Sequence, residues 1–335
     1  MTKNIGKSIR TRLLNLAKEE RQEYMKVLVR YLHERLLFRI SASPYKSHFL
    51  LKGSSLLFAL DGFKARPTID IDLLGERISN DRENLKEVFQ KVCAIECEDD
   101  GVTFDTTSLE LEPIAVEKKY PGTCVKVVAH LDTIVQQVSV DIGFGDVVTP
   151  YPLSLDYPLL LPDVPAVELY AYSLETLIAE KFHAMVDRDE NNSRMKDFFD
   201  VYQLFTNHEI DKELLAEAIV STFKNRNIDR VMKEKHVGKC RLMLNLLLRQ
   251  PFEEASLRSD FIDFCIAKIT TCAQPYAIRA YCMKLAYEQM KYYPELLEEL
   301  KVALDMLEQE TLSPGLLSAK RQIMKKIKRK LGKKL

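Results

Sequence analysis

Apolar residues recur at helical spacing through residues 8–40, at Leu13, Leu14, Leu16, Met25, Val27, Leu28, Tyr31, Leu32 and Leu36, which predicts an N-terminal helical segment. The period changes near residue 47. Runs at Phe49–Leu51, Thr68–Leu74, Cys124–Leu131 and Ile134–Ile142 predict strands, with a helical pattern over 81–95 between them. Prolines 150, 152, 158, 162 and 165 mark an extended connector in which no helix propagates. After Glu168 the spacing is helical and no strand is expected. Helices are predicted over Lys212–Lys224, Lys239–Leu248, Phe252–Thr271, Tyr276–Tyr292, Pro294–Glu310 and Pro314–Leu331, with Arg226–Arg230 as a charged connector. No strict repeat is present, so an irregular bundle is expected rather than a solenoid. The fold class is α+β: a helical segment over 1–46, a mixed core over 47–206 and an all-helical region over 207–335.

Within the core, Thr68-Ile69-Asp70-Ile71-Asp72-Leu73 alternates apolar and polar residues. In a strand, Ile69, Ile71 and Leu73 face a core, while Thr68, Asp70 and Asp72 share the other face. The two carboxylates then lie roughly 7 Å apart. They repel unless a cation lies between them, and hard oxygen donors suit Mg²⁺ or Mn²⁺. A solvated amphipathic strand would show the same pattern, so the surroundings decide. Upstream, the apolar run Phe49-Leu50-Leu51 ends in Lys52-Gly53-Ser54-Ser55 before a helix-like stretch, a corner suited to phosphate. Downstream, Val138, Val140 and Ile142 share one face of a strand, and Gln137, Ser139 and Asp141 share the other. Three aspartates on strands beside a Gly-Ser corner meet the needs of two-metal phosphoryl transfer.

Lys52-Gly53-Ser54, Thr68-x-Asp70-x-Asp72 and Asp141 resemble the signature of DNA polymerase beta-type nucleotidyltransferases. More closely, the chain resembles the AbiEii/AbiGii nucleotidyltransferase toxins. Their further block is matched by Leu174-Glu175-Thr176-Leu177-Ile178-Ala179-Glu180-Lys181 and Arg194-Met195-Lys196-Asp197-Phe198-Phe199-Asp200. The resemblance covers roughly residues 10–210; Ser54 stands where many members carry a second glycine. It implies a polymerase beta-type core and transfer of a nucleotide from an NTP, with Lys181 and Asp197 in the active site. It also implies tRNA 3′-end acceptors, toxicity and a cognate antitoxin.

In that block Ser173 is a plausible N-cap, and Leu174, Leu177, Ile178, Phe182 and Met185 form an apolar stripe. Lys181 lies inside the stripe, where a lysine is costly unless it meets an anion. With the resemblance, it is expected to hold the triphosphate. After a polar loop over Asp187–Ser193, a second helix would place Asp197, Asp200 and Leu204 on one face. Asp200 fits equally a surface ion pair with Lys196. On this reading Asp70, Asp72 and Asp141 bind metal. Lys52, Gly53, Ser54, Thr68 and Lys181 attend the nucleotide.

Charge adds a second feature. The chain has 49 Lys+Arg and 49 Asp+Glu, yet nine of the bases and none of the acids fall between Lys320 and Leu335. The tail spaces Leu316, Ala319, Ile323, Ile327 and Leu331 at helical intervals with lysines around them. Such a helix could follow RNA phosphates, meet an anionic membrane, dock on the acidic body or remain solvated. At 46% hydrophobic and 29% charged residues, wholesale disorder is excluded. No run is long enough for a membrane span, and residues 1–15 lack a secretory pattern. The seven cysteines form no Cys-x2-Cys pair, so reduced thiols and a cytoplasmic location are expected. Modification of a protein or a small molecule, or an inert nucleic-acid-binding scaffold, are the competing functions.

Overall fold

The computed structural model describes residues 5–114, 122–188, 195–254, 257–271, 274–309 and 312–332, which divide into two compact units, Met1–Thr222 and Phe223–Leu335. Most of the Asp187–Ser193 loop, Arg194, Cys272, Lys333 and Lys334 lie outside the described residues. The first unit opens with two helices, α1 (Ile5–Glu19) and α2 (Tyr24–Ala42). Strand β1 (Phe49–Lys52) runs into α3 (Gly53–Asp61), followed by β2 (Asp70–Gly75) and α4 (Arg82–Cys93). The long strands β3 (Val102–Pro113), β4 (Gly122–Leu131) and β5 (Ile134–Phe144) come next, then the short β6 (Leu153–Tyr157) and β7 (Val167–Ala171). Helices α5 (Leu174–Arg188) and α6 (Met195–Asn207) follow.

All seven strands form one mixed sheet in the order β3-β4-β5-β2-β1-β7-β6. β2 lies in its middle, antiparallel to β1 and parallel to β5. Ile71, Leu73, Val138, Val140 and Ile142 are buried with Leu28, Leu32 and Leu36 of α2 in one hydrophobic core. Asp81 caps α4 by accepting from the Asn84 N–H at 3.0 Å, and Leu85, Phe89 and Val92 of that helix enter the same core.

Helix α2 is unusual in burying charge as well as apolar surface. Arg30, His33, Glu34, Arg35 and Arg39 are all buried, and the four charged ones hold partners on other segments. Arg39 pairs with buried Asp100 and donates to the Val102 carbonyl at 2.8 Å. Glu34 pairs with Arg35 at 2.7 Å and accepts from the Leu160 N–H at 2.7 Å, while Arg35 donates to the Pro165 carbonyl. Arg30 donates to the Ala65 carbonyl at 3.2 Å. The helix thereby fixes the proline-rich connector on one side and the approach to β2 on the other. Buried charges persist only when partnered in this way.

The structure corrects several expectations. β7 exists although no strand was predicted beyond Glu168. Its pattern alternates buried Val167, Leu169 and Ala171 with exposed Glu168 and Tyr170, but the flanking prolines mask it. β6, between Pro152 and Pro158, and β3 were likewise not predicted. Ile69 is 78% exposed rather than in a core, because Thr68 Oγ1 bonds the Asp70 backbone and the strand begins only at Asp70. Phe182 is 41% exposed, outside the buried stripe of α5.

The second unit is helical. The last turns of α7 (Lys212–Lys233) belong to it, with α8 (Val237–Leu247), α9 (Ser259–Thr270), α10 (Tyr276–Met290), α11 (Pro294–Asp305) and α12 (Pro314–Leu331). The expected connector at 226–230 is helix instead. Arg226, Ile228 and Asp229 are buried, and Asp229 pairs with Arg258 at 2.6 Å. Helix α10 is central, packing against α8, α9, α11 and α12. Six described cysteines are free, and no described helix is long and apolar enough to cross a membrane.

The buried pair on α2 makes a prediction about pH. Burial, with Arg30 nearby, lowers the His33 pKa from 6.5 to about 4; burial raises Glu34 from 4.5 to about 7 against the pull of Arg35. Unfolded His33 gains a proton near 6.5 that the folded ring refuses until about 4, so stability is lost as pH falls through that window. Glu34 acts oppositely, because the fold retains its proton up to about 7, so its contribution is lost as pH rises from 4.5. Glu34→Gln removes the second linkage and leaves the first. Relative to wild type, its urea-unfolding free energy should fall by about 3 kcal/mol between pH 6.5 and 4, at 1.36 kcal/mol per pKa unit. Parallel pH profiles for the two proteins would refute the assignment.

Candidate active site

Register brings the site together. Lys52 of β1 faces Asp72 of β2, Asp72 faces Asp141 of β5, Asp141 faces Cys124 of β4, and Cys124 faces Glu112 of β3. Direct register partners share a face of a sheet, so these five side chains form one transverse row. Asp70 is two residues before Asp72 and joins the same face. The three aspartates predicted from alternation therefore do share a face, two of them as immediate cross-strand neighbours.

The Gly53 corner sits over Asp72. Its φ is +60°, a conformation that glycine adopts without strain. A Cβ there would lie 2.2 Å from Asp72 Oδ2, and the Ser54 N–H donates to that oxygen at 3.2 Å. Thus the turn, the start of α3 and the carboxylate are one fitted unit. Burial holds the Asp72 carboxyl above the usual carboxylate range; Ser54 and Lys52 pull it down, and Asp141 pushes it up. Burial, a hydrogen bond with Asp141 and the Asp141 charge raise the Cys124 thiol to about 12. Cys124 is therefore a neutral neighbour of the carboxylates.

Two cation clusters flank the row. Lys52 Nζ contacts Asp146 at 2.9 Å, the Tyr172 hydroxyl at 3.3 Å and Glu180 at 3.4 Å, and Tyr172 donates to Glu180 at 3.1 Å. The second cluster lies between α5 and α6. Ser173 caps α5 by accepting from the Thr176 N–H at 3.1 Å, which sets the helix over the Thr149 backbone through Thr176. Lys181 is buried where the apolar stripe predicted it, 2.6 Å from Asp200 and 3.6 Å from Asp197. Arg66 closes on both oxygens of Asp200 at 3.0 and 3.1 Å. Asp200 is consequently an interior counter-ion, not a surface partner of Lys196. Among the described residues Asp197 Oδ2 is buried without a hydrogen-bond partner, an arrangement that costs about 1–3 kcal/mol unless a donor arrives.

Sequence reasoning did not find Arg66, Asp146 or Tyr172. Arg66 lies two residues before Thr68 in a loop, where polarity carries no period; Asp146 follows β5 for the same reason. Glu180 had a signal in its position beside Lys181. Among the described residues, no group of three or more His, Cys, Asp or Glu is assembled as a ready metal site. The donor chemistry nevertheless fits a hard divalent cation. Asp70, Asp72 and Asp141 present carboxylate oxygens from one face of β2 and β5, the hard donors such an ion takes.

The model of the family described as nucleotidyl transferase AbiEii toxin, type IV toxin–antitoxin system, matches residues 35–271, more than two thirds of the sequence. The chain belongs to the AbiEii family. AbiEii proteins are nucleotidyltransferase toxins, and the matched segment contains every residue of the site just described. No curated protein matches the chain. Among solved structures, JHP933 from Helicobacter pylori is similar at 13% identity and a TM-score of 0.35, over 83% of this chain and 97% of that one. A candidate nucleotidyltransferase from H. pylori is similar at 12% identity and 0.37, over 82% and 98%. Both likenesses are too distant to add to the AbiEii assignment.

Gly53→Ala tests the fitted corner. The new methyl must displace Asp72 or the turn, so the variant should lose about 1–3 kcal/mol of stability. Nucleotidyl transfer should fall at least ~100-fold, as expected when a reacting group is displaced by about 1 Å. Thermal melting and a transfer assay on the same preparation check both; retained activity would show that the contact is dispensable.

Proposed function

We propose that this AbiEii protein transfers a nucleoside monophosphate from an NTP to an acceptor hydroxyl, and that the acceptor is the 3′ end of a tRNA. The observation that carries the reaction is the fitted set of Gly53, Ser54, Asp72 and Asp141: backbone N–H donors at the start of a helix beside two carboxylates in direct register. The tRNA acceptor, and a cognate antitoxin as partner, rest on the family resemblance.

In the proposed reaction the acceptor oxygen attacks the α-phosphorus. The bond from that phosphorus to the bridging oxygen of the β-phosphate breaks, and pyrophosphate leaves. Asp141 takes the hydroxyl proton and, with Asp70 and Asp72, provides the oxygens that would hold Mg²⁺ or Mn²⁺. Such cations, when bound, supply charge stabilisation at the attacking and leaving oxygens. The Gly53–Ser54 turn at the positive end of α3, with Lys52 and Lys181, positions the β,γ-phosphates. To reach them, Lys52 exchanges Asp146 and Glu180 for phosphate, and Lys181 keeps Asp200 as its counter-ion. Thr68, bonded to the Asp70 backbone, sets the start of β2. Asp197, with one unsatisfied buried oxygen, offers an acceptor to a donor of the incoming substrate. On this account the chemistry resides in the region 47–206.

Incubation of purified protein with each α-labelled NTP, Mg²⁺ and total cellular RNA or protein tests this reading. Label should enter a tRNA-sized band, and Asp70→Asn or Asp72→Asn should reduce it by about 10³-fold or more, the scale of losing a transition-state charge stabiliser. Label in the protein fraction alone would replace the RNA acceptor with a protein one. No label in any fraction would overturn the transferase reading.

A further inference from the structure

As far as Gly332, the basic tail is not a solvated extension. In α12, Leu316, Ala319, Ile323 and Ile327 are buried in a hydrophobic cluster with α10 and α11, so the helix is held in place. Its outward residues Arg321, Lys325, Lys328 and Arg329 are exposed, and no acid occurs between Pro314 and Gly332. A helix anchored in this way presents its cations at fixed spacing, without the entropy a free tail would lose on binding. The excess is not local only. The unit Phe223–Leu335 carries 23 Lys+Arg against 13 Asp+Glu, whereas Met1–Thr222 carries 26 against 36.

Beside this row lies a cleft of about 430 Å³. Lys284 and Lys291 of the α10 side and Gln322 and Lys326 of α12 line it, with Phe252 at its wall and Glu288 as its one acid. Lys291 and Lys326 share that glutamate, at 2.9 and 3.7 Å. On the cleft side of α12, the buried Tyr287 ring lies 5.0 Å from Lys326 and the Tyr292 ring 5.8 Å from Lys330. Of these rings Tyr292 is 37% exposed, and a ring beside lysines at the surface suits a base next to a nucleic-acid backbone.

We infer that α12 and this cleft form an RNA-binding face in which phosphates follow the outer row and one nucleotide enters the cleft. This inference rests on the RNA acceptor proposed above and adds where that RNA is held. A membrane is the poorer fit, because an interfacial helix needs an exposed apolar face and that of α12 is already buried against its own unit.

The test is binding of fluorescently labelled bulk tRNA to the full chain in EDTA, where no transfer occurs, across 50–200 mM salt. The triple variant Arg321→Glu, Lys325→Glu, Lys328→Glu changes only exposed positions. It should bind at least ~10-fold more weakly, with a log–log salt slope shallower by about 2, near 0.7 per cation removed. Lys284→Glu in the cleft should weaken binding without a large change in slope. NTP binding to both variants should equal that of wild type. Unchanged tRNA affinity and slope in the triple variant would overturn the inference, as would tighter binding to phosphatidylglycerol vesicles than to tRNA. Because the readout is binding, a wild-type protein that binds tRNA here yet labels no RNA sinks the proposed reaction and spares this face.

Discussion

Three aspartates on one face of two adjacent strands create a demand for positive charge, and the first unit is organised around meeting part of it. Lys52 and Lys181 both act electrostatically on Asp72, yet each is held by carboxylates of its own. Arg66 shares the neutralisation of Asp200, so Lys181 does not have to supply it alone. What results is a site whose fixed cations are already committed to fixed anions.

That arrangement depends on a scaffold with little freedom. The segment that delivers Asp70 and Asp72 is short, and α2 holds its approach through Arg30. The same helix fixes the connector leading to β7 through Glu34 and Arg35. β7 then leads directly to Tyr172 and the capped start of α5, which carries Glu180 and Lys181. Buried charges on one helix thus hold the segments that lead into β2 and into β7. Apolar residues in their place could pack as densely but could not hold backbone carbonyls and N–H groups at chosen points.

Much of the site was legible because its residues sit on elements with a period. Asp70, Asp72 and Asp141 stood out as polar positions in alternating runs, and Lys181 as a charge inside an apolar helical stripe. Helical spacing put Asp197 and Asp200 on one face but did not separate an interior Asp200 from a surface partner of Lys196. Arg66, Asp146 and Tyr172 occupy loops or strand ends, where no period separates a contact residue from a solvated one. The fold was less legible where proline interrupts. Five prolines concealed β6 and β7, because the rule that excludes helix does not distinguish an edge strand from irregular chain. Ile69 shows the opposite error. Alternation began two residues too early, since the Thr68 hydroxyl bonds the Asp70 backbone before the ladder begins.

The position of β2 has one more implication. A strand at the edge of a sheet can fray, and an enzyme can be silenced by letting it do so. β2 has strands on both sides, paired from Asp70 to Gly75 with β5 and from Asp72 to Gly75 with β1. Its carboxylates therefore cannot leave one another without disrupting the middle of the sheet. Local fraying at a sheet edge thus gives no route to loss of this face.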